Sequence, residues 1–167
     1  MIIVEQIDVD LLDLLEKNGR MPLDVISKTL DISISEVEER IKKLEKSHAI
    51  LGYSAIANWS KVLDHEGVTA MIDVKVTPTR GVGFDKIAER IYRFPEVKAV
   101  YLMSGAYDLS VSIQGKTMSE IGRFVSEKLS TLDSVISTTT HFILKKYKHD
   151  GVIFDSDDDD KRIVVSP

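Results

Sequence analysis

Two stretches in the second half of this chain repeat one pattern, and that repeat limits the fold more than any other feature. From Thr69 to Val76 apolar residues alternate, with Ala70, Ile72, Val74 and Val76 on one side. A turn at Pro78 to Gly83 follows, then a helical stripe of Phe84, Ile87, Ala88 and Ile91 that stops at Phe94-Pro95. Val97 to Met103 reads as a second strand. After the tight turn Ser104-Gly105-Ala106 the pattern recurs. Leu109, Val111 and Ile113 alternate, Thr117 caps a helix carrying Ile121, Phe124, Val125 and Leu129, and Val135 to Tyr147 reads as a long last strand. Period two followed by period 3.6 marks strand, helix, strand. Two such units in tandem give β-α-β-β-α-β, the ferredoxin-like arrangement. Both helices then cover one face of a four-stranded antiparallel sheet. The other face is expected to be apolar and to need a partner sheet, which points to a homodimer.

The first third has a different rhythm. Ile7, Leu11, Leu14 and Leu15 recur at three- and four-residue steps and end at Asn18-Gly19, as one face of a helix does. Pro22 opens a second helix that buries Val25, Ile26 and Leu30; a proline costs nothing in a first turn. Asp31-Ile32-Ser33 is the turn into a third helix, running to Ser47, with Val37, Ile41 and Leu44 inward. Ser33 with Glu36, or Ser35 with Glu38, offers a capping box. Three short helices in this order outline a helix-turn-helix. Leu51, Tyr53, Ala55 and Ala57 alternate afterwards, the signature of a strand or wing. The expected fold class is therefore α+β: a winged helix-turn-helix at 1–59, a linker at 60–67, a ferredoxin-like domain at 68–148 and an acidic tail at 149–167.

Charge cuts across that outline. Residues 1–60 carry 7 Lys/Arg and 11 Asp/Glu, residues 61–148 carry 13 and 10, and the remainder carries 2 and 6. An acidic head attracts phosphate weakly. The chain has no cysteine, which excludes disulfides and thiolate metal sites. Met1-Ile2-Ile3-Val4 meets Glu5 at once, so no signal peptide, no membrane partner and a cytoplasmic location are expected. His48, His65, His141 and His149 lack metal-ligand spacing, no nucleophile stands beside a base, and Gly81-Val82-Gly83 is too short to cradle phosphate. No cofactor, no metal and no enzymatic activity are expected. The run Asp157–Asp160 reads as a solvated tail or, with Ile163-Val164-Val165, as a clasp on a neighbouring subunit.

In this order, Asn18-Gly19-Arg20, Arg40-Ile41-Lys42-Lys43-Leu44-Glu45, Ile50-Leu51-Gly52-Tyr53, Phe94-Pro95-Glu96-Val97 and Ser104-Gly105-Ala106-Tyr107-Asp108-Leu109 resemble the Lrp/AsnC, or feast/famine, transcriptional regulators. The resemblance reaches to about Lys148. It implies a winged helix-turn-helix joined to a ligand-sensing domain often called RAM, pairing into dimers and further into tetramers or octamers. It implies binding of double-stranded DNA tuned by an amino acid or a related small-molecule effector. The alternative is a sensor or assembly protein of the same fold that has lost specific DNA binding. Family members usually carry basic residues outside helix one, where this chain has Val9, Asp10 and Asp13, and Gly before the recognition helix, where it has Asp31. Positions often basic in the recognition helix are Glu38 and Glu39.

Two sets of candidate site residues follow. For DNA they are Ser33, Ser35 and Glu36 at the recognition-helix N-terminus, Arg40, Lys43 and Lys46 at three-residue steps, and Arg20 before helix two. Glu can accept from cytosine N4 and the cations can meet phosphate; the competing reading is a solvated helix laced by pairs such as Glu38–Lys42 and Glu39–Lys43. For the effector they are Ser104, Gly105, Ala106, Tyr107 and Asp108, with Thr138 and Thr140 on one face of the last strand. Gly105 would expose backbone N–H groups to a carboxylate and Asp108 would pair with an ammonium group. The competing reading makes Asp108 a turn residue serving the backbone. Arg80 is a weaker candidate for a carboxylate clamp.

Overall fold

The computed structural model describes residues 5–62, 67–78 and 83–154. Residues 63–66 of the expected linker at 60–67, residues 79–82 of the expected turn with Arg80 among them, and residues 155–167 of the expected tail at 149–167 lie outside them. The chain divides into two compact units, 1–56 and 57–167.

The first unit is three helices: α1 (Gln6–Lys17), α2 (Leu23–Leu30) and α3 (Ile34–Lys46). Leu11, Leu15, Ile26, Val37 and Leu44 form its core, with Ile41, Leu30 and Ile32 packed around them. Asp31 ends α2 in the left-handed region, at φ 53 and ψ 45. The Ser27 hydroxyl and carbonyl then close the turn, donating to the Ile32 carbonyl at 2.5 Å and accepting the Ile32 N–H at 3.1 Å. Ser33 caps α3, its Oγ accepting the Glu36 N–H at 3.1 Å. The expected wing strand is not formed. Residues 51–58 join no ladder among the described residues, and Leu51 is 90 % exposed. Alternation without a partner strand gives no sheet, because the ladder hydrogen bonds have nowhere to go. Tyr53 instead ties this segment to α3, donating to Glu45 Oε1 at 3.0 Å. Its ring lies 3.3 Å from where a Cβ on Gly19 would stand, a close approach that suits glycine there.

The second unit is β1 (Val68–Val76), α4 (Asp85–Tyr92), β2 (Val97–Leu102), β3 (Leu109–Gly115), α5 (Met118–Phe124), β4 (Val135–Phe142) and a small hairpin, β5 (Lys148–His149) with β6 (Val152–Ile153). After α5 the helix widens into one π-type turn, Val125–Leu129. Thr117 caps α5 through the Glu120 N–H at 3.2 Å, as its sequence predicts. The antiparallel sheet runs β2-β3-β1-β4. Ala70, Ile72, Val74 and Val76 meet Leu109, Val111 and Ile113 under Ile87, Ile91, Ile121, Phe124 and Leu129 in one core. The tandem repeat therefore builds the expected ferredoxin-like layer pair.

Two details depart from expectation. β4 stops at Phe142, and Ile143 to Tyr147 lead into the small hairpin instead of prolonging the strand. The sheet face away from the helices is mostly polar. Register places Thr69, Asp73, Lys75, Ser110, Ser112, Gln114, Thr139 and His141 there, with Met71, Ala99 and Tyr101 among them. The strong apolar alternation of β1 and β3 belongs to the covered face alone.

Candidate DNA-reading helix and effector loop

The buried positions Val37 and Leu44 fix how α3 faces the solvent. At about 100° per residue, Ser35, Glu39, Lys42 and Lys46 fall opposite them. All four are exposed, as are the flanking Glu38 and Lys43. Lys42 sits 3.8 Å from Glu38. Among the described residues the side chains of Glu39 and Lys46 have no hydrogen bond or ion pair.

Arg40 belongs to the other side. It stands three residues after Val37 and four before Leu44, so its side chain turns toward α1. Nη1 donates to Asp8 Oδ1 at 2.8 Å, Nη2 to Glu5 Oε2 at 2.9 Å, and Nε and Nη2 to Glu36 Oε1 at 3.0 and 2.9 Å. Only 17 % of the Arg40 side chain and 1 % of the Asp8 side chain remain exposed. The hydrogen bonds it donates to Asp8, Glu5 and Glu36 push the guanidinium pKa up further. Burial alone would raise the Asp8 carboxyl. The Arg40 hydrogen bond, the Glu5 backbone N–H and the charges of Arg40 and Lys43 outweigh it and hold that carboxyl below its ordinary value. Lys43 lies 3.9 Å from the same carboxylate.

The predicted DNA set is therefore split. Arg40 spends its guanidinium on Asp8, Glu5 and Glu36, Glu36 accepts it through Oε1, and Ser33 spends its hydroxyl on the helix cap. Ser35, Lys43 and Lys46 are exposed on α3, and Arg20 is exposed in the turn before α2. The outward position of Glu39 and Lys42 was legible from the Val37–Leu44 spacing, yet counting three-residue steps among the cations alone passes over it.

The loop between β2 and β3 is held from below. Asp108 Oδ2 accepts the Val76 N–H at 2.9 Å, the Asp108 N–H donates to Val74 at 3.1 Å, and the Met103 N–H donates to the Asp108 carbonyl at 2.8 Å. Asp108 is thus a backbone anchor for the end of β1. Lys75 Nζ reaches the Ala106 carbonyl at 3.5 Å. Ser104, Gly105 and Ala106 are exposed, and the N–H groups from Ser104 to Tyr107 have no partner among the described residues. Gly105 has no positive φ, and a Cβ there would meet nothing within 4 Å, so the turn itself does not require glycine.

Thr138 and Thr140 do not join this loop. They pair opposite Val74 and Ile72 and so face the helix layer. The threonine the loop does touch is Thr139, whose Oγ1 lies 2.8 Å from the Tyr107 hydroxyl on the open face. Beside it His141 Nε2 lies 3.1 Å from Asp73 Oδ2. A one-residue shift of face separates the predicted threonines from the observed one.

Comparison with known proteins agrees with this architecture. The AsnC-type helix-turn-helix domain matches residues 5–45, and the Lrp/AsnC ligand binding domain matches residues 69–153. The chain belongs to the Lrp/AsnC family. It is 65 % identical over 160 residues to the uncharacterized HTH-type transcriptional regulator YugG of Bacillus subtilis (strain 168), covering 96 % of each chain. It is 31 % identical over 146 residues to the HTH-type transcriptional regulator FL11 of Pyrococcus furiosus, covering 87 % of this chain and 93 % of the other. Among solved structures it is similar to the transcriptional regulator NMB0573 of Neisseria meningitidis in complex with L-Met. There the TM-score is 0.69 at 25 % identity, over 87 % of this chain and 93 % of that one. This Lrp/AsnC protein is a transcriptional regulator with a helix-turn-helix domain and a ligand-binding domain. Among the described residues none of its helices is long and apolar enough to cross a membrane, and no group of three or more His, Asp or Glu is placed to hold a metal ion.

Proposed function

We propose that this regulator binds double-stranded DNA through α3 and that an amino-acid-like effector, taken at the β2–β3 loop, biases that binding. Four successive backbone N–H groups without partners, Ser104 to Tyr107, carry the effector reading. Such a run is a carboxylate seat. Asp108 keeps its Oδ1 without a partner among the described residues, a counter-charge for an α-ammonium group. The structural relative bound to L-Met supports this effector class. The sheet face that lacks helices, with Tyr101 and Met71 on it, is the surface through which two copies pair as a homodimer; tetramers or octamers would add further contacts. The effector acts by linkage, preferring one arrangement of the DNA-binding heads and raising its population.

A thermal-shift screen with the twenty amino acids tests the effector site, since a ligand of the native state raises apparent stability by mass action. Gly105→Ala has room for its methyl group. It should leave the melting temperature of the free protein unchanged and abolish the shift given by the active amino acid. An undiminished shift in Gly105→Ala would move the effector away from this loop.

A second reading, a sensor without specific DNA binding, is favoured by two observations: the first 60 residues are net acidic and Arg40 is withdrawn from the surface. Fluorescence anisotropy with the protein's own upstream DNA across a salt series separates the two. Binding no tighter than to random duplex would establish the sensor reading.

A further inference from the structure

We infer that Glu39 is a specificity-determining residue of the recognition helix, selecting a cytosine in the half-site, and that this head makes no arginine–guanine contact from α3. The inference rests on the DNA-binding reading above and goes beyond it by naming the base and the residue. The recognition helix presents its N-terminal half to base edges. On the outward stripe of α3 that half offers Ser35 and Glu39, while Lys42 and Lys46 occupy the following turns. The one arginine of α3 is held by Glu5, Asp8 and Glu36 with four hydrogen bonds. It therefore cannot supply the bidentate contact to guanine O6 and N7 that is the commonest base-specific contact.

The Glu39 carboxylate has neither a salt-bridge partner nor a hydrogen bond among the described residues, unlike those of Glu36, Glu38 and Glu45, each of which has a partner on this unit. A lone carboxylate brought into a groove lined by phosphates is repelled. It is compensated where a base offers an amino donor and no adjacent acceptor. Cytosine N4 meets that condition; guanine O6 and N7 and thymine O4 are acceptors, and adenine sets N7 beside its amino group. Glu39 thus acts chiefly by excluding wrong bases, which is how a charged group yields specificity with little affinity. Lys42 and Lys46, about one and two turns on, meet the phosphates and partly offset the repulsion.

Glu39→Gln keeps the shape, removes the charge and creates the donor–acceptor pair that matches adenine N6 and N7. Full-length protein and the variant are each used to select sequences from a duplex pool with a randomised core, and binding to the selected and scrambled duplexes is then measured by anisotropy. The expected result is one half-site position at which the natural protein enriches cytosine and Glu39→Gln enriches adenine, with a discrimination of about fivefold or more between the two duplexes. Tighter binding of the variant to all duplexes with the same base preferences would overturn the inference and leave Glu39 a purely electrostatic brake. No enriched sequence with either protein would overturn it too, and would do so by removing the DNA-binding reading beneath it.

Discussion

Arg40 in the helical unit and Asp108 in the sheet unit occupy equivalent places in the logic of this molecule. Each is a charged residue within a motif that points to ligand, and each is turned inward to hold the fold. Their surroundings differ. Arg40 sits among three carboxylates, one of them buried, so removing Arg40 leaves the buried Asp8 charge without its main partner in low dielectric. Asp108 serves a single backbone N–H at the end of β1, so its loss leaves one neutral donor unsatisfied. The motif position alone does not say whether a charge serves ligand or scaffold; the count and burial of its partners do.

The largest effect that tests this contrast is on Arg40. Arg40→Ala leaves the buried Asp8 carboxylate with Lys43 at 3.9 Å as its remaining counter-charge and should cost about 3–5 kcal/mol of stability in the helical unit. Replacing both partners, Asp8→Leu with Arg40→Met, should recover most of that loss, since a buried pair gains little over well-packed apolar groups. Hydrogen exchange at the α1 and α3 amides reads both. The folded Asp8 carboxyl is held below its unfolded value. Its contribution is therefore complete above the unfolded pKa and fades as the pH falls through the folded one. Asp8→Asn should flatten the acid limb of the stability curve. An acid limb identical to that of the natural protein would show that the cluster is not the pH-sensitive element of the head.

Asp108→Ala comes next. It leaves the Val76 N–H unsatisfied beside a buried side chain and should cost about 1–3 kcal/mol. The loss should appear in the exchange of β1 and β3 amides and leave α1 and α3 untouched. If Asp108→Ala removes the effector response without this loss, Asp108 acts on ligand more than on scaffold, and the parallel with Arg40 breaks.

The two regions also differ in how much their sequences disclose. The sheet unit is legible because alternation and helical stripe occur twice, and the β1 and β3 apolar sets can serve only a covered face. The three-helix core is legible for the same reason. The open face of the sheet is not: its polar character follows from reading the residues between the apolar ones, and a preference for a hydrophobic dimer face passes over them. The wing fails because period-two alternation describes a strand only where another strand is there to pair with it. Thr138 and Thr140 share a face as predicted, but which face depends on register with β1. Arg40 carried enough information in its spacing from Val37 and Leu44, and no sequence signal revealed that Glu5 and Asp8, more than thirty residues away, complete its shell.

On the outer side of α3, the comparison predicts an effect on binding without one on stability. Lys42→Ala and Lys46→Ala should each reduce the steepness of the salt dependence of DNA affinity by about one unit and leave the melting temperature unchanged. Arg40→Ala should do the reverse, destabilising the head while the salt slope of the folded fraction stays the same. A salt slope that falls equally for all three would return Arg40 to the phosphate-contacting set.

The smallest effect concerns the turn that aims α3. Asp31 holds a left-handed conformation that its Cβ disfavours, and the chain makes no use of glycine there. Asp31→Gly relieves the steric cost, while the greater freedom of glycine in the unfolded chain takes part of the gain back. The net should be a stabilisation of about 0.5 kcal/mol, read as a small rise in denaturant midpoint with unchanged slope. The β2–β3 loop offers the opposite case: Gly105 adopts no positive φ, so Gly105→Ala gains or loses nothing by this mechanism. If Asp31→Gly instead destabilises the head, the aspartate is favoured there by the local backbone hydrogen bonding that short polar side chains make in turns, and strain is not what sets the entry angle of the recognition helix.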